Sequence, residues 1–335
     1  MAEKRTTIVD VAKLANTSTA TVSHYLNGKF SKMSDATRKK IADAITQTGY
    51  VPSAAAQNLA SKSSGVIAVL ILDNTNVWAG QLVSGVEEIA HLCGYQTVVC
   101  DTHFDHKTER DYVEKMLSLG VDGFIVQPTA HYRSVNERIR RAGKPVVFYD
   151  FSVIDLQTTW VKSDLYGGMY DAVTECVARG YEDFVILSGM TAAARTRSER
   201  ASGILDALAE AELEGKALTI SHETPTIEEL TRYLEREINP AKKTLVICPH
   251  QWALGRVYKA MVPMRHLMPR TIGLLGLNCA DWSDLTEPGI STVIEPVQEE
   301  GRIACAMLVD LMADPEAKPR QEMLSCATRW LGSTL

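Results

Sequence analysis

Between Ser18 and Asn27 the chain carries Thr19, Ala20, Thr21, Ser23 and His24, a run of short hydroxyl, imidazole and amide side chains broken by a bare alanine. Groups of this kind suit a surface of closely spaced donors and acceptors. The major groove of DNA is such a surface, because Ser and Thr reach phosphates and base edges and Ala can contact a thymine methyl. The same set is poor material for packing against protein. The competing account is a small helical bundle with no partner.

The elements that must hold these groups are legible one at a time. Thr7 precedes the apolar run Ile8, Val11, Ala12, Leu14 and Ala15, with Asp10 three residues on, a capping-box-like start to a helix. Asn16-Thr17-Ser18 breaks that helix, and Ser18 caps the next, Thr19 to Leu26, whose buried side is Val22, Tyr25 and Leu26. Asn27-Gly28 ends it. Ser34 caps a third helix over 35–48, with Ile41, Ala42 and Ile45 inward and Gly49 at the exit. Two helices joined by a turn of about 3–4 residues make a helix-turn-helix, whose second helix reads base edges from its N-terminal end. Charge agrees. Residues 1–62 hold nine Lys or Arg against four Asp or Glu, a balance of +5, so the −6 of the whole chain leaves −11 on residues 63–335. A basic head on an acidic body points to a polyanion partner for the head alone.

The stretch 52–61 is alanine-rich behind Pro52, a good first-turn residue. It is too short for a stable free helix, which needs roughly 12–15 residues. Two accounts stand: a linker whose Leu59 packs on the body, and a hinge helix that folds in the minor groove with Leu59 wedged between base steps. Ser53, Ala56 and Gln57 are the neighbouring contact residues in the second.

From Gly65 onward short apolar runs alternate with helical patterns. Strands are expected at 66–72, 97–100, 123–126, 145–149, 160–162, 184–187, 218–221, 244–248, 271–275 and 291–294, with helices such as 78–92, 109–117, 167–179, 197–211 and 299–313 between them. About 270 residues exceed one ordinary domain. The fold class is therefore α/β, a core of two doubly wound parallel-sheet lobes behind a helix-turn-helix head. Ligands of such sheets bind outside the carboxyl ends of the strands, here the cleft between lobes.

The run TIVDVAKLA, S-x-x-TVS-x-x-LNG, TR, GYVP and A-x-x-L in the head resembles the lactose-repressor (LacI/GalR) family of transcriptional regulators. In the body DNTNVWA, GVDGFIVQP, GKPVVFYD, R-x-x-RASG, WALGRVYKAM and ISTVIEP resemble it too. The resemblance implies a periplasmic-binding-protein-like core, residues 64–335, behind a head at 1–51 and a hinge at 52–63. Its first lobe takes about 64–162 and 295–325, and its second about 163–294 and 326–335. It implies a homodimer on near-palindromic operator DNA and a small effector, a sugar, sugar acid or sugar phosphate. DNA contacts are carried over to Thr7, Ser18, Thr19, Ala20, Thr21, Ser23, His24, Asn27, Ser53, Ala56, Gln57 and Leu59, and effector contacts to Trp78, Asp150, Thr196, Arg200 and Asn278. Each effector residue has a plainer account: Trp78 as lobe core, Arg200 as a surface residue, Asp150 and Asn278 as turn residues.

The chain departs from the family at His24, where Arg is usual, and at Ser53, Asn278 and Pro249-His250, where Asn, Asp and an Asn-Asp pair are usual. His cannot grip guanine in the bidentate way Arg does. Arg195, Arg197 and Arg200 cluster, which raises an anionic sugar derivative against a solvated helix face.

Other chemistry is thin. Cys93, Cys100, Cys176, Cys248, Cys279, Cys305 and Cys326 form no CxxC pair, so no metal is expected and the cysteines read as core filler of a reducing, cytoplasmic compartment. His103 and His106 belong to a polar strand-to-helix loop. No nucleotide or nucleophile motif is present, so neither a cofactor nor an enzyme is expected. No apolar run reaches the roughly 20 residues of a membrane span, and the start is no signal peptide. Against a DNA-binding repressor stand a sugar-binding protein without DNA function and a sugar enzyme with an appended head. A phosphoprotein corepressor is the family's alternative to a sugar. With no heptad segment after Trp330, a dimer is expected over a tetramer.

Overall fold

The computed structural model describes residues 6–51, 63–150, 157–189, 196–221 and 223–335, without the side chains of Thr196 and Arg197. The expectations placed on Ser53, Ala56, Gln57 and Leu59 lie outside these residues. Two compact units are separated at Ser64.

The first unit holds α1 (Ile8–Leu14), α2 (Thr19–Leu26) and α3 (Asp35–Thr48). Asp10 closes the start of α1 by accepting from the Thr7 backbone N–H at 2.9 Å and the Thr7 hydroxyl at 2.6 Å. Ser18 caps α2 through the Thr21 N–H at 3.1 Å, and Ser34 caps α3 through the Thr37 N–H at 3.2 Å. Gly49 takes the left-handed conformation at the exit of α3, with φ of +58°. Val11, Ala12, Ala15, Val22, Ile41 and Ala44 form the small core, with Tyr25, Leu26 and Ile45 against it. Two assignments shift. Leu14 is exposed, and Ala44 rather than Ala42 is the buried alanine of α3. The periodicity of so short a helix does not specify which edge of its stripe touches the neighbour.

The second unit contains two six-stranded sheets. The strands are β1 (Val66–Ile71), β2 (Gln96–Asp101), β3 (Gly123–Val126), β4 (Val146–Tyr149), β5 (Thr159–Asp164), β6 (Asp183–Gly189), β7 (Gly215–Ile220), β8 (Thr244–Cys248), β9 (Ile272–Leu277), β10 (Ser291–Ile294), β11 (Gln321–Ser325) and β12 (Ala327–Arg329). The helices are α4 (Val77–Leu92), α5 (His106–Leu119), α6 (Tyr132–Arg141), α7 (Leu165–Ala178), α8 (Thr196–Glu210), α9 (Ile227–Glu237), α10 (Gln251–Met261) and α11 (Val297–Ala313). The first sheet runs β11-β5-β4-β3-β1-β2 and is parallel throughout; the second runs β12-β10-β9-β8-β6-β7 and is parallel except for β12. The chain crosses between lobes after β5, after β10 and between β11 and β12. All ten expected strands form. The last two, β11 and β12, are not among the expected strands. Their residues are only half-buried at sheet edges, so they lack the apolar run that marks a central strand.

Four apolar clusters fill the faces of the two sheets. Glycines set the closest helix contacts. A Cβ on Gly301 of α11 would stand 2.2 Å from the Leu82 carbonyl oxygen of α4, and one on Gly203 of α8 would stand 2.3 Å from the Tyr166 carbonyl oxygen of α7. Gly203 ends the R-x-x-G motif of the sequence. Its lack of a side chain seats α8 against α7 and so places Arg200 one turn earlier.

Candidate functional site

In the head, α2 presents Thr19 and Ala20 as exposed residues at its N-terminal end. Thr21, Ser23 and His24 are half-buried, and Asn27 at the exit is exposed, its side-chain amide donating to the Ser23 carbonyl at 2.8 Å. The Ser18 and Thr21 hydroxyls bond to each other at 2.8 Å. Thr19, Ala20 and His24 therefore retain the side-chain groups that a base edge would meet.

In the body, the residues that follow the strand ends converge. The order of each sheet reverses beside its first strand, between β1 and β3 and between β6 and β8. Crevices of doubly wound sheets open there. A cavity of about 470 Å³ is lined by Leu72, Gln127, Asp150, Asn278 and Glu295, each the first residue after its strand. Trp78 from α4, Arg200 from α8 and Trp252 from α10 line it as well, with Trp282. Of the five sequence-predicted effector residues, Trp78, Asp150, Arg200 and Asn278 are brought together. Thr196 opens α8, one turn before Arg200.

The polar groups of the cavity are fixed by one another. The Gln127 amide donates to Asp150 at 2.7 Å while its oxygen accepts the Leu72 N–H at 3.1 Å. The Asp150 N–H donates to the buried Glu300 carboxylate at 2.9 Å, whose other oxygen accepts from the Ser163 hydroxyl at 2.9 Å. Asn278 and Glu295 pair reciprocally: the amide donates to the Glu295 carboxylate at 2.6 Å, and the Glu295 N–H donates to the Asn278 oxygen at 3.0 Å. Asp150 and Asn278 both have positive φ, +46° and +55°, a conformation that Asp and Asn tolerate better than most residues. Arg200 donates to the Pro249 carbonyl at 2.6 Å. His250 accepts the Gly189 N–H on Nε2 at 2.6 Å, has the Arg200 guanidinium 3.5 Å from Nδ1, and stacks on Trp252 with centroids 5.4 Å apart. The Pro249-His250 departure is therefore structural as well: it holds a guanidinium and an indole at the cavity wall.

Burial sets the electrostatics. It pushes the Asp150 carboxyl up to about 7; repulsion from Glu295 adds to this, and the Gln127 bond and Arg200 oppose it. Glu295 is raised by burial against the pull of Arg200, Asn278 and Trp78, and Glu300 is raised well above the carboxylate range by burial and by both neighbouring acids. Burial lowers the Arg200 guanidinium, although the surrounding carboxylates offset part of that.

Phe104, Gln127, Trp252, Trp282 and Glu295 were missed by sequence reasoning. Four of them sit in loops after strands, and Gln127 and Glu295 hold the same first-residue position as Asp150. The strand-end rule was the available signal. Trp78 is both lobe core and cavity wall, 7% exposed and stacked on Tyr149 with centroids 6.0 Å apart. His103 pairs with Asp101 at 3.3 Å, and His106 opens α5 beside the buried Glu109 at 3.2 Å. No group of three or more His, Cys, Asp or Glu suited to a metal is found among the described residues. No helix of the described residues is long and apolar enough to cross a membrane.

Residues 7–53 match the family of bacterial regulatory proteins, lacI family. The chain belongs to the LacI family. Residues 173–334 match the periplasmic binding protein-like domain. The transcriptional regulator KdgR of Bacillus subtilis is 27% identical over 318 residues, covering 94% of each chain. Among solved structures, the lac repressor dimer bound to operator and the anti-inducer ONPF superposes with a TM-score of 0.85 at 22% identity, covering 99% of this chain and all of that one. A complex of the regulator CelR with cellobiose gives 0.69 at 20% identity, covering 98% of this chain and all of that one. This LacI-family chain is a DNA-binding transcriptional regulator with an α/β, periplasmic-binding-like core.

Proposed function

We propose that the protein is a repressor of carbohydrate-utilisation genes whose operator affinity is set by a small sugar or sugar derivative bound between the two lobes. The observation that carries this is the cavity, which meets a ligand with tryptophan faces and hydrogen-bonding acceptors together. Trp78, Trp252 and Trp282 suit the apolar face of a pyranose or furanose. Asp150, Asn278 and Glu295 suit its hydroxyls, and Arg200 suits a hydroxyl, carboxylate or phosphate on it. Trp78 and Asp150 belong to the first lobe, Arg200 and Asn278 to the second, so a ligand touching all four stabilises one relative placement of the lobes.

The protein acts as a homodimer on a near-palindromic operator. The exposed Val98 and Val99 on the edge strand β2 support self-association of the body. α2 lies in the major groove, with Thr19, Ala20 and His24 reading bases and Thr7, Ser18, Thr21, Ser23 and Asn27 on phosphate or base. Ser53, Ala56, Gln57 and Leu59, outside the described residues, complete the proposed DNA contacts. A ligand shifts DNA affinity by the difference in its affinity for the two lobe placements. No reaction is catalysed on the ligand.

A thermal-shift screen over neutral sugars, sugar acids and sugar phosphates identifies the effector, since a ligand selective for the folded state raises its stability. The hit is expected to change operator affinity, and Trp78→Ala and Asp150→Ala are expected to abolish the shift. A hit whose shift survives both substitutions refutes the assigned site.

A further inference from the structure

The turn that follows α2 holds a stack of three side chains that the reading of bases does not use. Tyr25 of α2 meets Phe30 edge-on, with centroids 5.7 Å apart, and the Arg38 guanidinium of α3 lies over the same ring, 4.0 Å from its centroid. The turn itself is tightly tied. Gly28 takes a φ of +67°, the Lys29 N–H returns to the His24 carbonyl at 2.9 Å, and the Met33 N–H closes on the Phe30 carbonyl at 3.1 Å. Phe30 is nevertheless 38% exposed, an aromatic ring left at the surface of a small basic unit.

Lys29 and Lys32 flank Phe30, and both are exposed, as is Arg38. None of the three cations has an ion-pair partner among the described residues, although Asp35 stands three residues before Arg38 and Asp43 five after it. A guanidinium centred over a ring still carries N–H groups at its edges that can donate. That is the geometry for bidentate contact with a phosphate.

We propose that Phe30 is a positioning residue for DNA binding: it holds the Arg38 guanidinium, in register with α2 through Tyr25, against a backbone phosphate beside the groove that α2 reads. This rests on the head being the DNA-binding unit. The contact is sequence-independent. It sets where the recognition helix sits and reads no base.

The test is anisotropy titration of the full chain on a fluorescent duplex of random sequence, over a series of KCl concentrations. Arg38→Gln is expected to weaken binding and to lower the salt slope by about 0.9, the loss of one phosphate contact. Phe30→Leu, which keeps an apolar side chain in the turn but loses the ring, is expected to weaken binding about two- to fivefold, the equivalent of one exposed cation–π contact. In the Arg38→Gln background Phe30→Leu is expected to change nothing further. Additive losses, an unchanged slope in Arg38→Gln, or wild-type affinity in Phe30→Leu would overturn the proposal while wild-type binding persists. Salt-independent or absent binding by the wild type would overturn the DNA-binding reading with it. Unchanged circular dichroism and thermal midpoint of both variants keep a folding defect from imitating the expected result.

Discussion

Asp150→Asn separates the charge at the floor of the cavity from its shape. Asn fits the left-handed backbone there as well as Asp does, and it keeps a hydrogen-bonding partner for Gln127. What it removes is a carboxyl raised from 3.8 to about 7 by burial and by Glu295. The folded state favours the neutral carboxyl, so the stability this group contributes is full below about pH 4 and is lost as pH rises through about 7. At about 1.4 kcal/mol per unit the whole shift is worth about 4 kcal/mol. Solvent reaching the carboxyl through the cavity reduces this to about 1–3 kcal/mol. The wild type should therefore lose stability relative to Asp150→Asn from about pH 4 to about pH 7, so the variant should gain on it between pH 5 and pH 7 and keep that gain at pH 8. Urea unfolding followed by tryptophan fluorescence reads this in the body alone, because all five tryptophans lie there. Wild-type and variant midpoints that run parallel from pH 5 to pH 8 would refute the buried-charge account.

Further expectations follow from packing, reading and binding. Gly301→Ala drives a Cβ into the backbone of α4 and should destabilise the body by about 1–3 kcal/mol or more in the same assay, whereas Gly80→Ala, with open space around its Cβ in α4, should stabilise it by about 0.5–1 kcal/mol. Selection on randomised half-sites should show that His24→Ala changes base preference at one position per half-site; a uniform loss over all sequences would instead make His24 a phosphate contact. Once the screen has yielded an effector, calorimetry should show Arg200→Gln weakening it by at least about tenfold, roughly the 1.5–3 kcal/mol of a hydrogen bond to a charged group.

The head was almost fully legible in the linear chain, because caps and turns are local. Ser18, Ser34, Asn27-Gly28 and Gly49 each act within four residues of themselves, and each does in the structure what its type and position indicate. The strands of the body were legible for a related reason: a strand covered on both faces must be apolar along its length, and β3, β8 and β10 appear with the bounds their sequences suggest. Edge strands escape this rule, which is why β11 and β12 were not among the expected strands.

The cavity was legible only in part. Trp78, Asp150, Arg200 and Asn278 were reachable through the resemblance, but Glu295 and Gln127 were not singled out, and nothing near them in sequence marks them as partners of Asn278 and Asp150. The sequence alone determined that the chain has a basic groove-reading head and an acidic α/β body, since capping, periodicity and charge are properties of neighbouring residues. Only the tertiary structure decided which acids share one buried space. Asp150 lies far along the chain from Glu295 and Glu300, and the repulsion among the three, their raised protonation and the hold of Asp150 and Glu295 on Arg200 arise only when the two sheets and α11 bring them to one cleft and remove the water between them.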